Sequence, residues 1–235
     1  MGVAIRAGAS GFSYKEWVGG FYPAKLAGIK MLPYYADRLP TVEINYTFRA
    51  MPRRSMLEGW AAKTPANFRF ALKAPQRITH FARLRGSKES LEYFIETAGA
   101  LGEKLGPILF QLPPDLMRDD ALLRDFLAQL GGRVRAAFEF RNRSWFDDTV
   151  LELLRAGGAA LCVAESDKLA SPIARTADHV YMRLRKVNYD DAALREWSHK
   201  IRSLAEGARE VFIYFKHEAA APELARKMLD LLAAA

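Results

Sequence analysis

Glu43, Lys73, Gln111, Glu139, Arg141, Arg183 and Lys216 share one local context. Each stands where a short apolar run breaks off, or two residues before that point. Glu43 and Glu139 are carboxylates suited to general acid or base work, and His80, soon after Lys73, is a second candidate proton carrier. Lys73, Arg141, Arg183 and Lys216 would hold an anionic group, with the amides of Asn45 and Gln111 at the same level. Tyr14, Trp17 and Trp145 follow other runs, where aromatic faces above positive charge suit sugar rings or nucleobases.

Such residues meet only if the elements carrying them converge. Segments such as Phe138-Glu139-Phe140-Arg141 and Met182-Arg183-Leu184-Arg185 alternate, so one strand face is apolar and the other polar. Strands are expected over 3–8, 41–45, 68–73, 107–111, 136–141, 159–165, 179–185 and 210–216. Helical patterns fall at 32–39, 52–63, 119–130, 147–156, 191–206 and 222–232, with a further one capped by Ser87 and running to Leu101. Strands alternating with helices, with no break in composition, predict a single α/β domain over 1–235, a (β/α)8 TIM-type barrel with its site at the C-terminal mouth of the strands. An open doubly wound sheet is the alternative, but Gly8-Ala9-Ser10-Gly11 lacks the dinucleotide-binding glycine spacing.

Parity turns Arg6, Glu43, Asn45, Arg69, Lys73, Gln111, Glu139, Arg141, Tyr181, Arg183, Arg185, Tyr214 and Lys216 into the lumen, with either Glu165 or Ser166 from the sixth strand. Arg6 and Arg69 lie near the floor and need buried partners, for which Glu43 and Glu139 are the natural choice. A buried ion-pair network is thus the alternative to catalysis for Glu43. For Arg183 and Arg185 the alternative is snorkelling to solvent or pairing with Asp167 or Asp190.

The chain has 235 residues, half of them hydrophobic, and a formal charge of +8, which favours an anionic small molecule or a nucleic acid as partner. The single cysteine, Cys162, excludes an intrachain disulfide, fits a reducing cytoplasm and reads as a small buried hydrophobe. No secretory leader or bilayer-length apolar run is evident, so a cytoplasmic location without membrane contact is expected. Walker and Gly-x-Ser-x-Gly motifs are missing, the four histidines lack ligand spacing, and neither cofactor nor metal is expected. A metal site would need scattered residues such as Glu43, Glu139, Glu165, Asp167 and His217.

The run from Gly8 to Trp17, with Phe21-Tyr22-Pro23, resembles the opening signature of domain-of-unknown-function family 72, the YecE-like proteins. Thr41-Val42-Glu43-Ile44-Asn45, Phe68 to Lys73, Ile78-Thr79-His80, Leu105 to Pro113, and Phe138 to Arg141 with Ser144-Trp145-Phe146 are similar to later motifs of that family. The resemblance implies a TIM barrel and names no activity. Its motifs fall on Glu43, Asn45, Lys73, His80, Gln111, Glu139, Arg141 and Trp145. Many relatives carry a small residue at Tyr46, His-Gly at Arg185-Lys186 and paired asparagines at Lys216-His217, which implies a more basic rim in this chain. The leading expectation is a hydrolase or lyase acting on a phosphate-bearing or nucleotide-like anion. The alternatives are a non-catalytic nucleic-acid-binding barrel and a metal-dependent phosphodiesterase.

Overall fold

A computed structural model describes residues 2–166, 169–186, 188–216 and 218–234. Its strands are β1 (Ala4–Ala9), β2 (Thr41–Ile44), β3 (Arg69–Lys73), β4 (Leu105–Gln111), β5 (Ala136–Glu139), β6 (Ala160–Glu165), β7 (His179–Leu184) and β8 (Glu210–Phe215). They pair in sequence order, all parallel, and β8 returns to β1 to close the barrel. The expected (β/α)8 architecture is therefore the observed one. Several strands stop a residue or two before the pattern does. Asn45, Arg141, Arg185 and Lys216 consequently stand just beyond the ladder, where loops begin.

The helices are α1 (Met31–Ala36), α2 (Tyr46–Arg49), α3 (Arg54–Ala62), α4 (Lys88–Ala98), α5 (Asp120–Leu130), α6 (Asp148–Ala156), α7 (Asp191–Ala205) and α8 (Ala221–Ala233). The short α2 was not expected, and a single π turn at Arg77–Phe81 follows β3. Ser87 does not cap α4 through its side chain; its hydroxyl donates instead to the Leu84 carbonyl at 3.2 Å. Asp119 does cap α5, its Oδ1 accepting from the Leu122 N–H at 2.9 Å, and Asp147 and Asp190 cap α6 and α7.

Among the described residues 169–178, no helix connects β6 to β7. Side chains of this connection instead run along β6. Thr176 Oγ1 accepts from the Leu161 N–H and donates to the Ala159 carbonyl, both at 2.7 Å, and Ser171 Oγ accepts from the Ala164 N–H at 2.8 Å. These bonds satisfy backbone groups of β6, which has only two registered pairs with β5.

Apolar side chains divide into two bodies. One lies between the sheet and the helices; the other fills the lumen with Ala71, Leu109, Ala137, Cys162, Tyr181, Phe212 and Tyr214. That division is the alternation read from sequence, now seen on both faces. Gly8 is required where β1 meets β2, because a Cβ there would sit 2.0 Å from the Thr41 carbonyl oxygen. Tyr35 spans the same junction, its hydroxyl accepting from the Ala9 N–H at 2.8 Å and donating to the Thr41 carbonyl at 3.0 Å.

Candidate functional site

Charge enters the lumen at two levels. At the floor, Glu210 receives Arg6 at 2.8 Å and also pairs with Arg135, while both guanidinium groups lie over the Phe212 ring. Arg69 donates to the carbonyls of Ala66 and Phe68. The expected partnership of Arg6 and Arg69 with Glu43 and Glu139 is therefore wrong. A carboxylate at the start of β8 is closer to the floor than either glutamate, and the glutamates lie one layer higher.

That upper layer is built around Arg183, which is 1% exposed. Its Nη2 donates to Glu43 Oε1 at 2.8 Å and its Nη1 to Glu139 Oε2. Glu43 also accepts from Ser10 Oγ at 2.8 Å, Tyr181 Oη at 2.7 Å and Asn45 Nδ2 at 3.3 Å. Glu139 takes a further bond from Arg141 Nε at 2.9 Å. Burial alone would raise the pKa of both carboxylates. Arg183 outweighs it, helped by Tyr181 at Glu43 and by Arg141 at Glu139, and both are held below the usual carboxylate range. The ion-pair reading of Glu43 is the one observed, with Arg183 as partner. Arg183 pairs with neither Asp190, which caps α7, nor solvent; Asp167 lies outside the described residues.

Arg183 has both terminal nitrogens taken by carboxylates; its buried Nε is left without a hydrogen-bond partner among the described residues. Glu43 and Glu139, held ionised, are weak proton acceptors at neutral pH and supply fixed negative charge.

Lys73 sits in the same layer under different terms. Its Nζ donates to Gln111 Oε1 at 2.7 Å and lies 3.7 Å from the centroid of the Phe48 ring. Among the described residues no carboxylate reaches it. Burial, then Arg183, pull its pKa down from the ordinary lysine value to about 7. His80 stands edge-on to the same Phe48 ring, centroids 4.9 Å apart, with Nδ1 2.9 Å from Thr79 Oγ1. Burial and Lys73 lower its pKa as well.

Above this layer a cavity of about 540 Å³ is lined by Glu139, Arg141, Ser166, Ser171, Arg185 and Lys216, with Pro114, Phe140, Ala164 and Leu169. Ser166, not Glu165, is the sixth-strand residue at the mouth. Glu165 turns to the helix side and binds Lys186, Tyr189 and Trp197. Lys216 is paired with Glu218 at 2.6 Å. Arg185 is partly buried, and among the described residues no carboxylate pairs with it. Burial and the neighbouring Arg183 charge make its own cation costly there. A smaller cavity of about 300 Å³ takes Tyr14 and Asn45, together with Tyr46 and Trp60. Tyr14 Oη donates to the Ser10 carbonyl at 2.7 Å.

Trp17 and Trp145 are not stacking platforms; each is 1% exposed. Trp17 stacks on Tyr35 and donates to the Glu218 carbonyl at 3.1 Å, fastening the loop after β1 to that after β8. Trp145 stacks on Phe140 at 4.8 Å and donates to the Leu116 carbonyl at 2.8 Å, joining the loops after β5 and β4. Indole rings bury large area and need one partner for N–H, and loop crossings meet both needs. Without these two faces, the nucleic-acid reading keeps the positive charge and the rings of Tyr14 and Tyr46 in the smaller cavity. The residues that the metal reading would add, Asp167 and His217, lie outside the described residues.

Ser10 belongs to the site and was not singled out for it, and Phe48, one of the mouth aromatics expected after the second strand, packs against Lys73. Ser10 continues the inward parity of β1 two residues past Gly8, a signal the sequence does carry. Phe48 reaches Lys73 from the one-turn helix α2, which has no periodicity to betray its facing. A second, larger cleft of about 700 Å³ opens at the opposite end, around Gly106, Arg133, Arg135 and His179. Arg133 and Arg135 there are already paired with Glu92 and Glu210.

Comparison with known proteins agrees with this architecture. A family model described as "Protein of unknown function DUF72" matches residues 6–235. UPF0759 protein YunF of Bacillus subtilis is 25% identical over 252 residues, covering 90% of this chain and 89% of that protein. UPF0759 protein YecE of Escherichia coli is 30% identical over 143 residues, 60% of this chain and half of YecE. The crystal structure of a DUF72 family protein from Thermotoga maritima superposes with a TM-score of 0.85 at 25% identity, covering 98% of this chain and 99% of that one. Another from Enterococcus faecalis gives 0.82 at 20% identity, covering 98% and 96%. The chain belongs to the DUF72 family.

Proposed function

We propose that this barrel is an enzyme that binds a small phosphate-bearing anion in the 540 Å³ mouth cavity and acts on it by hydrolysis or lyase chemistry. The observation that carries this reading is Arg185, a partly buried guanidinium lining that cavity without a carboxylate partner among the described residues. Arg141 and Lys216 line the same space, each bound to one carboxylate and each with donors to spare. Ser166 and Ser171 complete the wall from the connection after β6, their hydroxyls bonded to backbone groups. Placement at the carboxyl ends of the strands is where barrel enzymes assemble their chemistry. Lys73 and His80 do not line the cavity, but both feel the charge of Arg141, which does, and with the glutamates held ionised the catalytic work moves to these two.

The test is a thermal-shift screen with inorganic phosphate, pyrophosphate and a panel of phosphorylated metabolites. A ligand at about 100 times its Kd should stabilise by about 2.7 kcal/mol, which raises Tm by several degrees in a chain of this size. Arg185→Gln should abolish the shift. A shift that survives this substitution, or none across the panel at millimolar concentration, overturns the reading.

A further inference from the structure

Anion binding accounts for Arg185 but leaves Lys73 and Gln111 unexplained. Gln111 is 4% exposed, and while its Oε1 accepts from Lys73, its Nε2 has no hydrogen-bond partner among the described residues. A buried amide donor left idle is unusual in a packed interior and points to a missing acceptor. Lys73 keeps 8% exposure where Glu43 and its register partner Ala71 keep none, so it stands at the upper edge of the packed lumen. Its surroundings are one neutral amide and the face of Phe48, while Arg183 already occupies both nearby glutamates. A lysine meant as a structural counter-ion would sit on a carboxylate. This one is kept where the free amine is favoured, the usual setting of a nucleophilic lysine.

We propose that Lys73 captures an aldehyde or ketone carbon of the substrate as a Schiff base, with the idle Gln111 amide N–H donating to the carbonyl oxygen. The proposal rests on the anion-site reading and narrows its substrate to a phosphorylated carbonyl compound. The lone pair on Nζ forms the new C–N bond while the C=O π pair moves onto oxygen, which Gln111 stabilises. Transfer of two protons to that oxygen, from the nitrogen and from the medium, expels it as water and leaves a protonated imine. His80, edge-on to the Phe48 ring that Lys73 also contacts, is the group assigned to relay these protons. The iminium then draws electrons from an adjacent C–H or C–C bond. Protonation of the resulting enamine and addition of one water release product and restore the amine. No oxidant or reductant enters, and the chemistry is that of a lyase or isomerase.

The experiment is reductive trapping. The protein is incubated at pH 7.5 with sodium borohydride and pyridoxal 5′-phosphate or dihydroxyacetone phosphate, and the adduct is mapped by peptide mass spectrometry. The expected result is one dominant adduct on Lys73, competed by inorganic phosphate and lost in Lys73→Met. Gln111→Ala, with its fold verified by circular dichroism, should trap at least 10-fold more slowly. Adducts spread over exposed lysines with Lys73 unmodified would overturn the proposal, even if phosphate ligands still raise Tm through Arg185; the anion site would then stand alone. Trapping on Lys73 that is equally fast with pyridoxal lacking the phosphate would support the capture step and remove the anion site as its partner.

Discussion

Arg183 holds two carboxylates apart from each other and from solvent, so its removal should be felt throughout the upper lumen. Arg183→Met would leave Glu43 and Glu139 buried without their shared cation, at an expected cost of about 3–5 kcal/mol in urea unfolding. Adding Glu43→Gln to that variant should recover part of the loss. Lys73 makes the complementary prediction in pH. Its folded pKa of about 7 lies below its unfolded value near 10.4, so the unfolded chain binds more protons between them. The stability tied to this group is fully present above that unfolded value and declines as pH falls through about 7. Wild type should therefore gain Tm relative to Lys73→Met as pH rises from 7 towards 10; parallel curves would contradict the depressed pKa. The inward facing of all these residues was legible, because strand alternation is local. Their partners were not. Arg183 and Glu43 are 140 positions apart, and only barrel closure decides which guanidinium lies level with which carboxylate.

At the scale of elements, local signals worked where they were strong. The helix read from Asp119 onward is present, with Asp119 as its N-cap, and Asp119→Ala should destabilise by about 0.5–2 kcal/mol, measured by denaturant midpoint. Gly8→Ala is expected to do far more than its lost flexibility, since the new methyl meets backbone rather than a movable side chain. Failure to accumulate as soluble folded protein is the expected outcome. Signals failed where tertiary contact overrides sequence. The loop tryptophans looked like ligand platforms because aromatic residues at a barrel mouth serve either purpose, and only the crossing partners Glu218 and Leu116 distinguish them. The π turn at Arg77–Phe81, which carries His80, has no compositional mark at all.

For the whole molecule, closure is the decisive property. β1 and β8 pair through six registered residues from Ala4↔Glu210 to Ala9↔Phe215, joining the two ends of the chain. A chain cut before Glu210 should lose the single cooperative unfolding transition, because β1 and β7 would each expose an unpaired edge and the lumen would lie open. Among the described residues no helix is long and apolar enough to cross a membrane. The fold class was readable from eight alternating segments; the connection from β6 to β7 showed no helical pattern in the sequence, and the described part of it shows no helix.

Cys162 faces the lumen, fully buried beside Tyr181, and it is the chain's sole thiol. Nature has thus placed one chromogenic handle at the innermost point of the barrel. A disulfide reagent such as dithionitrobenzoate can touch it only when staves part, so colour release reports breathing without labels or engineered probes: the open population when reclosing is fast, the opening rate when the reagent outpaces reclosing.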